Sequence, residues 1–260
     1  MGGVAPNGLP GWVTLLRAPN PGPMTLDGTN TWVLRAPGAT HGAVIDPGPL
    51  DEGHLRRIAD HGPYEFILIT HGHHDHVEGA ARLSEILGGT PVLAAGTLPA
   101  EMTVGGLSIT TLDTPGHTSD SVCFLVESGN TTAMFTGDTI LGRGTTVVAH
   151  PDGDLGAYLG SLERLSAYEN VLMLPGHGPS RTDVAALARE YLAHRRERLA
   201  QVTAAMAAGA STAEQVVDIV YPDIDPAVRF AAIWSASAQL DYLNHKNGES
   251  GTPGGRLDPL

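Results

Sequence analysis

One short stretch of the chain crowds five side chains that bind metals onto a single turn. The segment EFILITHGHHDHVEGA contains four histidines and one aspartate within six consecutive positions: His71, His73, His74, Asp75 and His76. Imidazole nitrogen and carboxylate oxygen are common ligands of zinc and of related divalent ions. A single histidine here would fit a solvated loop, but this crowding indicates a metal site.

The spacing within the segment suggests two metal positions. In an extended turn, alternate side chains point the same way, so His71 and His73 can converge on one ion. Asp75 and His76 would open the next helix and point to a second position close by, whereas His74 lies off this pattern and is expected to be solvated or supporting. Four ligands cannot complete two coordination shells, so more ligands are expected downstream.

Three later motifs supply such ligands, each near the end of a strand-like run. DTPGHTSD contains His117, FTGDTI contains Asp138 and LPGHGP contains His177. A glycine precedes each ligand, which lets the backbone approach a crowded centre. Together with the first segment, these side chains suit two ions about 3.5–4 Å apart.

The order and spacing of THGHHDH, GHT, TGD and GHG resemble the metallo-β-lactamase superfamily. The resemblance implies a bridging carboxylate, Asp138, and an aspartate that braces the site without binding metal, Asp46 in VIDPG. It also implies two sets of metal ligands: His71, His73 and His117 for the first ion, and Asp75, His76 and His177 for the second.

These ligands predict a hydrolase. Two divalent ions that share a water lower its pKa enough to supply hydroxide at neutral pH, and they polarise the oxygen of the substrate. Asp75 is the predicted catalytic residue, because it can orient the nucleophile or take its proton. Zinc suits the ligands best, and iron or manganese is compatible with them.

The elements that must position these ligands alternate strands with helices. Helical patterns begin at Asp51, Val77 and Asp154. Eight apolar runs read as strands, most of them ending in turn residues: TWVL, GAVIDPG, FILIT, TPVLAA, LSITTLDTPG, SVCFLVE, TAMFTGD and NVLMLPG. The mixture predicts an α/β fold, and the resemblance implies a four-layer αββα sandwich with the site at one edge.

The chain changes character after LPGHGPS. We expect a catalytic domain over residues 1–182, a small helical and winged-helix-like domain over residues 183–247, and a flexible tail over residues 248–260. Within the second domain, Ser211 or Thr212 with Glu214 near position N3 predicts a capping box. Asp225 followed by Pro226 predicts the start of the last helix.

Other segments resemble the β-lactamase-like protein 2 branch of the superfamily, which includes a single-strand endoribonuclease. They are NPGPMTLDGTNTWVL, GDTILGRGTTVV, LPGHGP and AHRRERLAQV. The resemblance suggests Asn30 and Thr31 as parts of the site wall and substrate contacts. Phosphate binding would fall to arginines, because Lys246 is the only lysine: Arg143 near the site, and Arg195, Arg196 and Arg198 in the second domain.

Three classes of function remain open. The first is a small-molecule ester or thioester hydrolase with chemistry like that of glyoxalase II. The second is a single-strand endoribonuclease or another phosphodiesterase, and the third is a non-catalytic metal-binding scaffold. A true β-lactamase is a lesser alternative. Since one fold carries all of these activities, the resemblance cannot choose the substrate.

Charge and composition limit the classes of binding partner that this chain is expected to have. The chain has 260 residues and a formal net charge of −13. From Arg189 to the end it contains 7 Lys+Arg and 9 Asp+Glu, so the second domain is not basic as a nucleic-acid-binding domain usually is. No apolar run approaches the roughly 18 residues of a membrane span. We expect no membrane partner, and either a monomer or a dimer.

The first residues lack the pattern of a secretory signal. Cys123 is the only cysteine and is expected in a buried strand, which favours a cytoplasmic protein. Phe230 and Trp234, four residues apart in the last helix, are expected to be buried in the core of the protein. The histidines without ligand spacing are expected at the surface or at helix ends: His41, His54, His61, His194 and His245.

Overall fold

The computed structural model describes residues 8–148 and 150–250, which contain ten strands and seven α-helices. The strands are β1 Val13–Arg17, β2 Asn30–Leu34, β3 Gly42–Ile45, β4 Tyr64–Leu68, β5 Val92–Leu93, β6 Glu101–Val104, β7 Leu107–Asp113, β8 Val122–Ser128, β9 Thr131–Gly137 and β10 Leu172–Pro175. The helices are α1 Glu52–Asp60, α2 His74–Val77, α3 Ala80–Ile86, α4 Leu155–Leu165, α5 Val184–Ala207, α6 Ala213–Val220 and α7 Arg229–Ser250.

The strands form two mixed sheets of five strands each. The first has the order β1-β2-β3-β4-β5 and the second has the order β10-β9-β8-β7-β6. β3, β4 and β5 run parallel, as do β9 and β10, whereas the other neighbours are antiparallel. All eight predicted strands are present, and the sequence reading missed the short β1 and β6.

Alternation along the strands buries both faces of each sheet. Trp32 and Phe135 meet between the sheets, with ring centroids 5.8 Å apart and an interplanar angle of 69°. Val33, one residue from Trp32, instead packs with α1 and α3, while Met134, beside Phe135, packs with α4 and α5. Because successive strand residues face opposite sides, two sheets and two outer helical layers result. This confirms the predicted sandwich.

Polar side chains begin two of the predicted helices, whereas the helix predicted from Val77 is divided, because α2 ends at Val77 and α3 begins at Ala80. Asp51 accepts a hydrogen bond from the His54 amide at 2.7 Å, and Asp154 accepts one from the Ala157 amide at 2.6 Å. Each bond satisfies an amide that has no partner inside its helix. The predicted capping box forms at Thr212, but its N3 residue is Gln215 and not Glu214.

The C-terminal part is helical in the described residues. Asp225 caps a 3₁₀ turn with Pro226 at its first position, directly before α7. The first half of α5 packs into the same cluster as α4, and its second half packs with α6 and α7. No strand lies within residues 183–250. The winged-helix resemblance and the domain boundary at residue 182 stay predictions.

Two aromatic residues of α7 lie outside the core, so the sequence prediction for them was wrong. Phe230 and Trp234 are 41% and 43% exposed, with their rings 5.0 Å apart and nearly perpendicular. Small residues such as Ala236, together with Leu240, form the packed face of α7 instead. The four-residue spacing placed the rings together but did not say which face of the helix is covered.

The ends of the chain qualify two other expectations. α7 runs through Ser250, so the first residues of the predicted flexible tail are helical, and residues 251–260 lie outside the described residues. Cys123 is fully buried in β8, as expected. None of the helices described has the length and apolar character needed to cross a bilayer.

Candidate metal centre

The predicted ligands meet at one edge of the sandwich. β4 leads into the turn with His71 and His73, β9 leads directly to Asp138, and β10 is followed by Gly176 and His177. His117 lies in the loop after β7. The Val122 amide, at the start of β8, donates to the Thr70 carbonyl at 2.9 Å and ties the two sheets together here.

The first group consists of three imidazoles. His73 Nδ1 lies 3.0 Å from His71 Nε2 and 3.1 Å from His117 Nε2. The three rings are mutually inclined at 73–82°, so the nitrogen atoms face a common point. These three residues form one of the clusters able to hold a metal ion among the described residues.

The second group consists of two imidazoles and one carboxylate. His76 Nε2 lies 3.2 Å from His177 Nε2, and Asp75 Oδ2 lies 3.1 Å from His177 Nε2. Asp75 Oδ2 is also 3.4 Å from His76 Nε2. His76 and His177 are buried, whereas the side chain of Asp75 is 27% exposed. Asp75 is therefore the carboxylate of this group that solvent or a substrate can reach.

Asp138 lies between the two groups. Its Oδ2 is 3.8 Å from His117 Nε2 and 3.4 Å from His177 Nε2. Its Oδ1 is 3.5 Å from His76 Nε2, is buried, and has no hydrogen-bond partner. A buried carboxylate oxygen without a partner is costly, and a bound cation would satisfy it.

The spacing of the nitrogen atoms fits metal coordination. Tetrahedral zinc with bonds of about 2.0–2.1 Å to nitrogen separates its ligand atoms by roughly 3.3 Å. The ring nitrogens here are 3.0–3.2 Å apart. The donor set, the facing nitrogens and the unpartnered oxygen of Asp138 all fit divalent ions.

Hydrogen bonds on the far side of the rings aim them at the centre. His76 Nδ1 is 2.8 Å from Asp46 Oδ2, and His117 Nδ1 is 2.6 Å from the Val147 carbonyl. His177 Nδ1 is 3.4 Å from the Gly28 carbonyl. Each Nδ1 therefore faces an oxygen, and Nε2 is the ring atom that points to the centre and would bind an ion. His73 faces the centre through Nδ1 instead.

Asp46 holds its position by binding the strand end as well as His76. It accepts from the Thr70 amide at 2.8 Å and from the Thr70 hydroxyl at 2.6 Å. Its backbone has a positive φ of 50°, and its side chain is buried. Thr70 Oγ1 is also 3.0 Å from His71 Nδ1, so Asp46 and Thr70 brace ligands of both groups.

Charge is strongly coupled inside the centre. Burial lowers the pKa of His71 well below its usual value, and the neighbouring His76 lowers it further. Burial would lower the pKa of His177 too, but Asp138 and Asp75 raise it to about 11. Burial would raise the pKa of Asp75, but the hydrogen bond from His177 and the charge of His76 lower it to about 2. Asp75 is therefore ionised at neutral pH.

One glycine of the centre has no room for a side chain. A Cβ on Gly176 would lie 2.5 Å from Asp138 Oδ1 and 2.7 Å from His76 Cε1. Such contacts are shorter than real Cβ atoms make, so any larger residue would push ligands of the two groups apart. The glycine of LPGHGP thus permits the close approach that its position suggested.

Asn30 and Thr31 are fully buried and bind the backbone of the site loops. Asn30 Nδ2 donates to the carbonyls of Pro175 and Gly178, on either side of His177, at 3.0 and 2.8 Å. Thr31 Oγ1 donates to the Asp46 carbonyl at 2.6 Å. These bonds support the wall of the site, and a direct substrate contact by either residue stays a prediction.

The four arginines suggested for phosphate binding do not form an exposed cationic path, because only Arg198, which is half-buried, has neither a backbone nor a carboxylate partner among the described contacts. Arg143 is exposed, but Asp27 accepts from both ends of its guanidinium, at 2.5 and 3.0 Å. Arg195 is only 4% exposed, and its Nη2 donates to the Thr146 carbonyl. Arg196 faces a carboxylate of α4, Glu163, at 3.6 Å. A substrate contact for Arg143 stays a prediction.

Three supporting residues were missed in the sequence. Thr29 Oγ1 donates to Asp75 Oδ2 at 3.2 Å, and Thr70 holds Asp46 and His71 as described. His54, expected at the surface or a helix end, is fully buried in α1, with Nε2 3.0 Å from Thr31 Oγ1. The sequence did contain a signal for this burial, because His54 lies four residues before Ile58 and therefore on the apolar face of α1.

Comparisons with known proteins identify the family of this chain. The family model described as the metallo-beta-lactamase superfamily matches residues 95–177. The beta-lactamase-like protein 2 homolog of Caenorhabditis elegans is 30% identical over 259 residues, which cover 89% of this chain and 83% of that protein. The lactamase-like protein adaB of Aspergillus niger is 35% identical over 202 residues, and the match covers 72% of this chain but 61% of that relative's length.

Solved structures share the fold. A beta-lactamase domain protein from Burkholderia ambifaria has a TM-score of 0.76 at 24% identity, with 90% of this chain and 87% of that chain covered. A smaller protein, solved in a di-iron-bound form, has a TM-score of 0.54 at 26% identity and covers 68% of this chain and 98% of its own.

Proposed function

This chain belongs to the metallo-β-lactamase superfamily of metal-dependent hydrolases, and we propose that it holds two divalent ions and hydrolyses a small ester or thioester. The observation that carries the proposal is the pair of ligand groups joined by Asp138, whose buried Oδ1 lacks a partner. In this proposal His71, His73 and His117 would hold one ion, Asp75, His76 and His177 would hold the other, and Asp138 would bind between the two groups.

When bound, the two ions would lower the pKa of a shared water and polarise the oxygen of the substrate. Zinc is the preferred metal because nitrogen predominates among the ligands, and the related protein in a di-iron-bound form makes iron the first alternative. Manganese is the second alternative. The choice between them needs metal analysis.

Asp75 is the residue that would handle the proton. It is the partly exposed carboxylate of the centre and is ionised at neutral pH. A carboxylate in that state can accept a hydrogen bond from an attacking water and take its proton as the bond to the substrate forms. The Thr29 hydroxyl, which donates to Asp75 Oδ2, holds the carboxylate in place.

The charge of the surroundings favours a small substrate over RNA. An RNA strand needs several accessible cations along its path. Here Arg143 is neutralised by Asp27, Arg195 is buried and Arg196 faces Glu163. A small acyl substrate needs only a local pocket beside the ions.

A second candidate is a single-strand endoribonuclease. The similarity to the beta-lactamase-like protein 2 homolog over 83% of that protein favours it, because the branch that this sequence resembles contains such an enzyme. The exposed rings of Phe230 and Trp234 could also stack on bases. The lack of an exposed arginine path is the reason we rank this function second.

One experiment separates the two functions. The protein is loaded with zinc, iron or manganese and assayed on S-lactoylglutathione and on a fluorescent single-stranded RNA, beside Asp75→Ala. Thioester hydrolysis that needs metal and is lost in the variant is the expected result. If the protein instead cleaves RNA but not the thioester, and Asp75→Ala loses that cleavage, the result would establish the nuclease.

A cytoplasmic location is retained as part of the proposal. Its support is the single cysteine of the chain, Cys123, which is buried and unpaired in β8. A chain without disulfides is typical of a reducing compartment.

A further inference from the structure

A second concave site lies between the catalytic loop and the helical region. It is a cavity of about 230 Å³. One wall is the loop segment 145–147 after β9, and the opposite wall comes from α5, from the residues after α6 and from the start of α7. This volume equals that of about eight water molecules, less than most complete ligand sites occupy. The cavity therefore suits one end of a ligand.

The cavity is cationic in an acidic protein. Arg195, Arg198, His194 and Tyr221 line it, and no aspartate or glutamate is among its lining residues. Arg198 lies over the ring of Tyr221 at 4.5 Å and donates to Gln201 at 2.6 Å, so no carboxylate is bonded to it in the described structure. Two guanidinium groups without an acidic partner in the same cavity favour an anion.

Two polar atoms beside the cavity have no partner. Among the described residues, four buried side-chain atoms lack a hydrogen bond, and two of them are His194 Nδ1 and Arg195 Nε. Arg195 is 96% buried as a residue, since its exposed fraction is 4%. Buried polar atoms without partners are costly, and because an arginine nitrogen can only donate, an acceptor in the cavity would satisfy Arg195 Nε.

The remaining wall is apolar. Ile224 and Val228 line it, together with two alanines of α7, Ala231 and Ala232. An inorganic anion would leave this surface without a partner. A carboxylate carried on a short hydrocarbon chain would match both walls.

The cavity and the metal centre share a segment of chain. Val147 lines the cavity, and its carbonyl is the group that holds His117 Nδ1 at 2.6 Å. Thr146, on the same wall, accepts from Arg195 through its carbonyl and donates from Oγ1 to the Asp138 carbonyl at 2.8 Å. The segment of Thr146 and Val147 thus connects this cavity to His117 and Asp138 of the metal centre.

We propose that this cavity binds the distal carboxylate of the acyl group that the enzyme hydrolyses, with Arg198 and Arg195 as its cationic partners. This inference rests on the proposed function and names its substrate class: thioesters or esters of a dicarboxylic acid. Hydrolysis forms a bond from the oxygen of water to the near acyl carbon and breaks the C–S or C–O bond there. The leaving thiol or alcohol takes a proton from that water, and the distal carboxylate is unchanged. Arg198 is the specificity-determining residue.

The test compares matched substrates. Half-thioesters of N-acetylcysteamine with dicarboxylic acids from succinate to suberate are assayed beside the monocarboxylic thioesters of equal chain length. At the best chain length, we expect wild type to prefer the dicarboxylic substrate in kcat/KM, and Arg198→Gln to reduce that preference at least about tenfold through KM. Arg198→Lys, which keeps the charge, should retain part of the preference.

Arg196→Gln is the matched control, because Arg196 is the neighbouring arginine of α5 and does not line this cavity. It should leave the preference as in wild type. Equal loss of preference in Arg196→Gln and Arg198→Gln would overturn the proposal, since it would report the general charge of the surface. No preference in wild type at any chain length would overturn it as well.

A binding measurement separates this inference from the hydrolase proposal. Calorimetry on the metal-free protein should show glutarate binding more tightly than pentanoate, and Arg198→Gln should weaken glutarate binding at least about tenfold. Glutarate binding without thioester hydrolysis would support the cavity and contradict the proposed reaction. Thioester hydrolysis with equal binding of glutarate and pentanoate would support the proposed reaction and contradict the role of the cavity.

Discussion

At the scale of single residues, the metal centre depends on what holds its ligands. His76, His117 and His177 each have an oxygen on Nδ1, from Asp46, Val147 and Gly28 respectively. Each imidazole is thereby held in the tautomer that offers Nε2 to an ion. The supporting oxygens therefore matter for metal affinity as well as the ligands themselves.

Asp46→Asn tests this support at its most connected point. The amide would place two hydrogens where Oδ2 now accepts from His76 and from Thr70, so the rings would lose their alignment. We expect the affinity for one of the two ions to fall about 10–100-fold, as for other residues that orient metal ligands. Competition with a chromophoric chelator measures this.

Asp51→Asn is the control for that substitution, because asparagine caps a helix as well as aspartate does. Its metal affinity should equal that of wild type. An Asp46→Asn protein that binds both ions normally would show that His76 is aligned by packing alone.

Gly176→Ala tests the close approach between ligands. The new methyl group would lie 2.5 Å from Asp138 Oδ1, so the carboxylate would have to move away from the centre. We expect the variant to fold but to bind fewer than two ions per chain, as measured by elemental analysis after dialysis.

Gly160→Ala provides the comparison. Gly160 lies within α4, where an added Cβ would meet only the end of Arg164, at 3.8 Å. This variant should keep its metal and gain up to about 1 kcal/mol of stability from helix propensity. Full metal content in Gly176→Ala would mean that the centre tolerates more expansion than its contacts suggest.

At the scale of elements, α1 is linked to the centre by a buried histidine. His54 Nδ1 lies 3.1 Å from Arg57 Nη2, and its Nε2 lies 3.0 Å from Thr31 Oγ1. Since arginine can only donate, Nδ1 must accept and Nε2 must donate. Thr31 then donates to the Asp46 carbonyl. The chain of bonds requires neutral His54.

This network predicts acid sensitivity. Burial, and after it the charge of Arg57, lower the pKa of His54 from 6.5 to about 4. The unfolded chain therefore binds this proton at a higher pH than the folded one. Stability from neutral His54 is present above pH 6.5 and is lost as the pH falls towards 4, by up to about 3 kcal/mol.

His54→Gln isolates this contribution, because glutamine keeps a hydrogen-bonding side chain but does not titrate. The free energy of unfolding should fall less between pH 7 and pH 4.5 in the variant than in wild type, as measured with urea. An equal fall in both proteins would assign the acid sensitivity to other groups, such as the histidines of the centre.

At the scale of the whole molecule, the centre joins the two sheets. His71 and Asp75 follow β4 of the first sheet, whereas Asp138 and His177 follow β9 and β10 of the second. Ions bound by both sides would therefore oppose separation of the sheets. Metal binding and folding should be coupled through the complete sandwich.

Metal removal should lower the thermal stability. Free metal at about 1,000 times its Kd would contribute roughly 4 kcal/mol, which is about 10 °C in Tm for a chain of this size. The loaded protein is compared with protein treated with a chelator by differential scanning calorimetry. His117→Ala should show a smaller shift on chelation, and a wild-type Tm that ignores the chelator would contradict the coupling.

Local patterns were enough for much of the fold. Runs such as FILIT and TAMFTGD were predicted as strands, and both contribute to strands, because short apolar runs and turn residues act within a few positions. Asp225 was predicted as a helix cap for the same reason, and the helix that begins after Asp51 was also predicted. The motif order also identified the family, since its ligands stand at characteristic places in the chain.

Local patterns could not predict contacts between residues that are distant in sequence. Phe230 and Trp234 were placed in the core because their spacing is helical, but the face that α7 buries depends on what α5 and α6 present to it. His54 became a buried link to Asp46 only because α1 packs on the first sheet. The pairing of Arg143 with Asp27 joins residues 116 positions apart.

Residue type and local periodicity are properties of short segments, so they were enough to indicate the residues that could bind metal, the strands that carry them and the family. Three other features could be read only from the folded chain: the nitrogen of each histidine that faces the centre, the lack of a partner for Asp138 Oδ1, and the cavity lined by Arg195 and Arg198. Those outcomes depend on distances between segments far apart in the chain, and packing alone sets such distances.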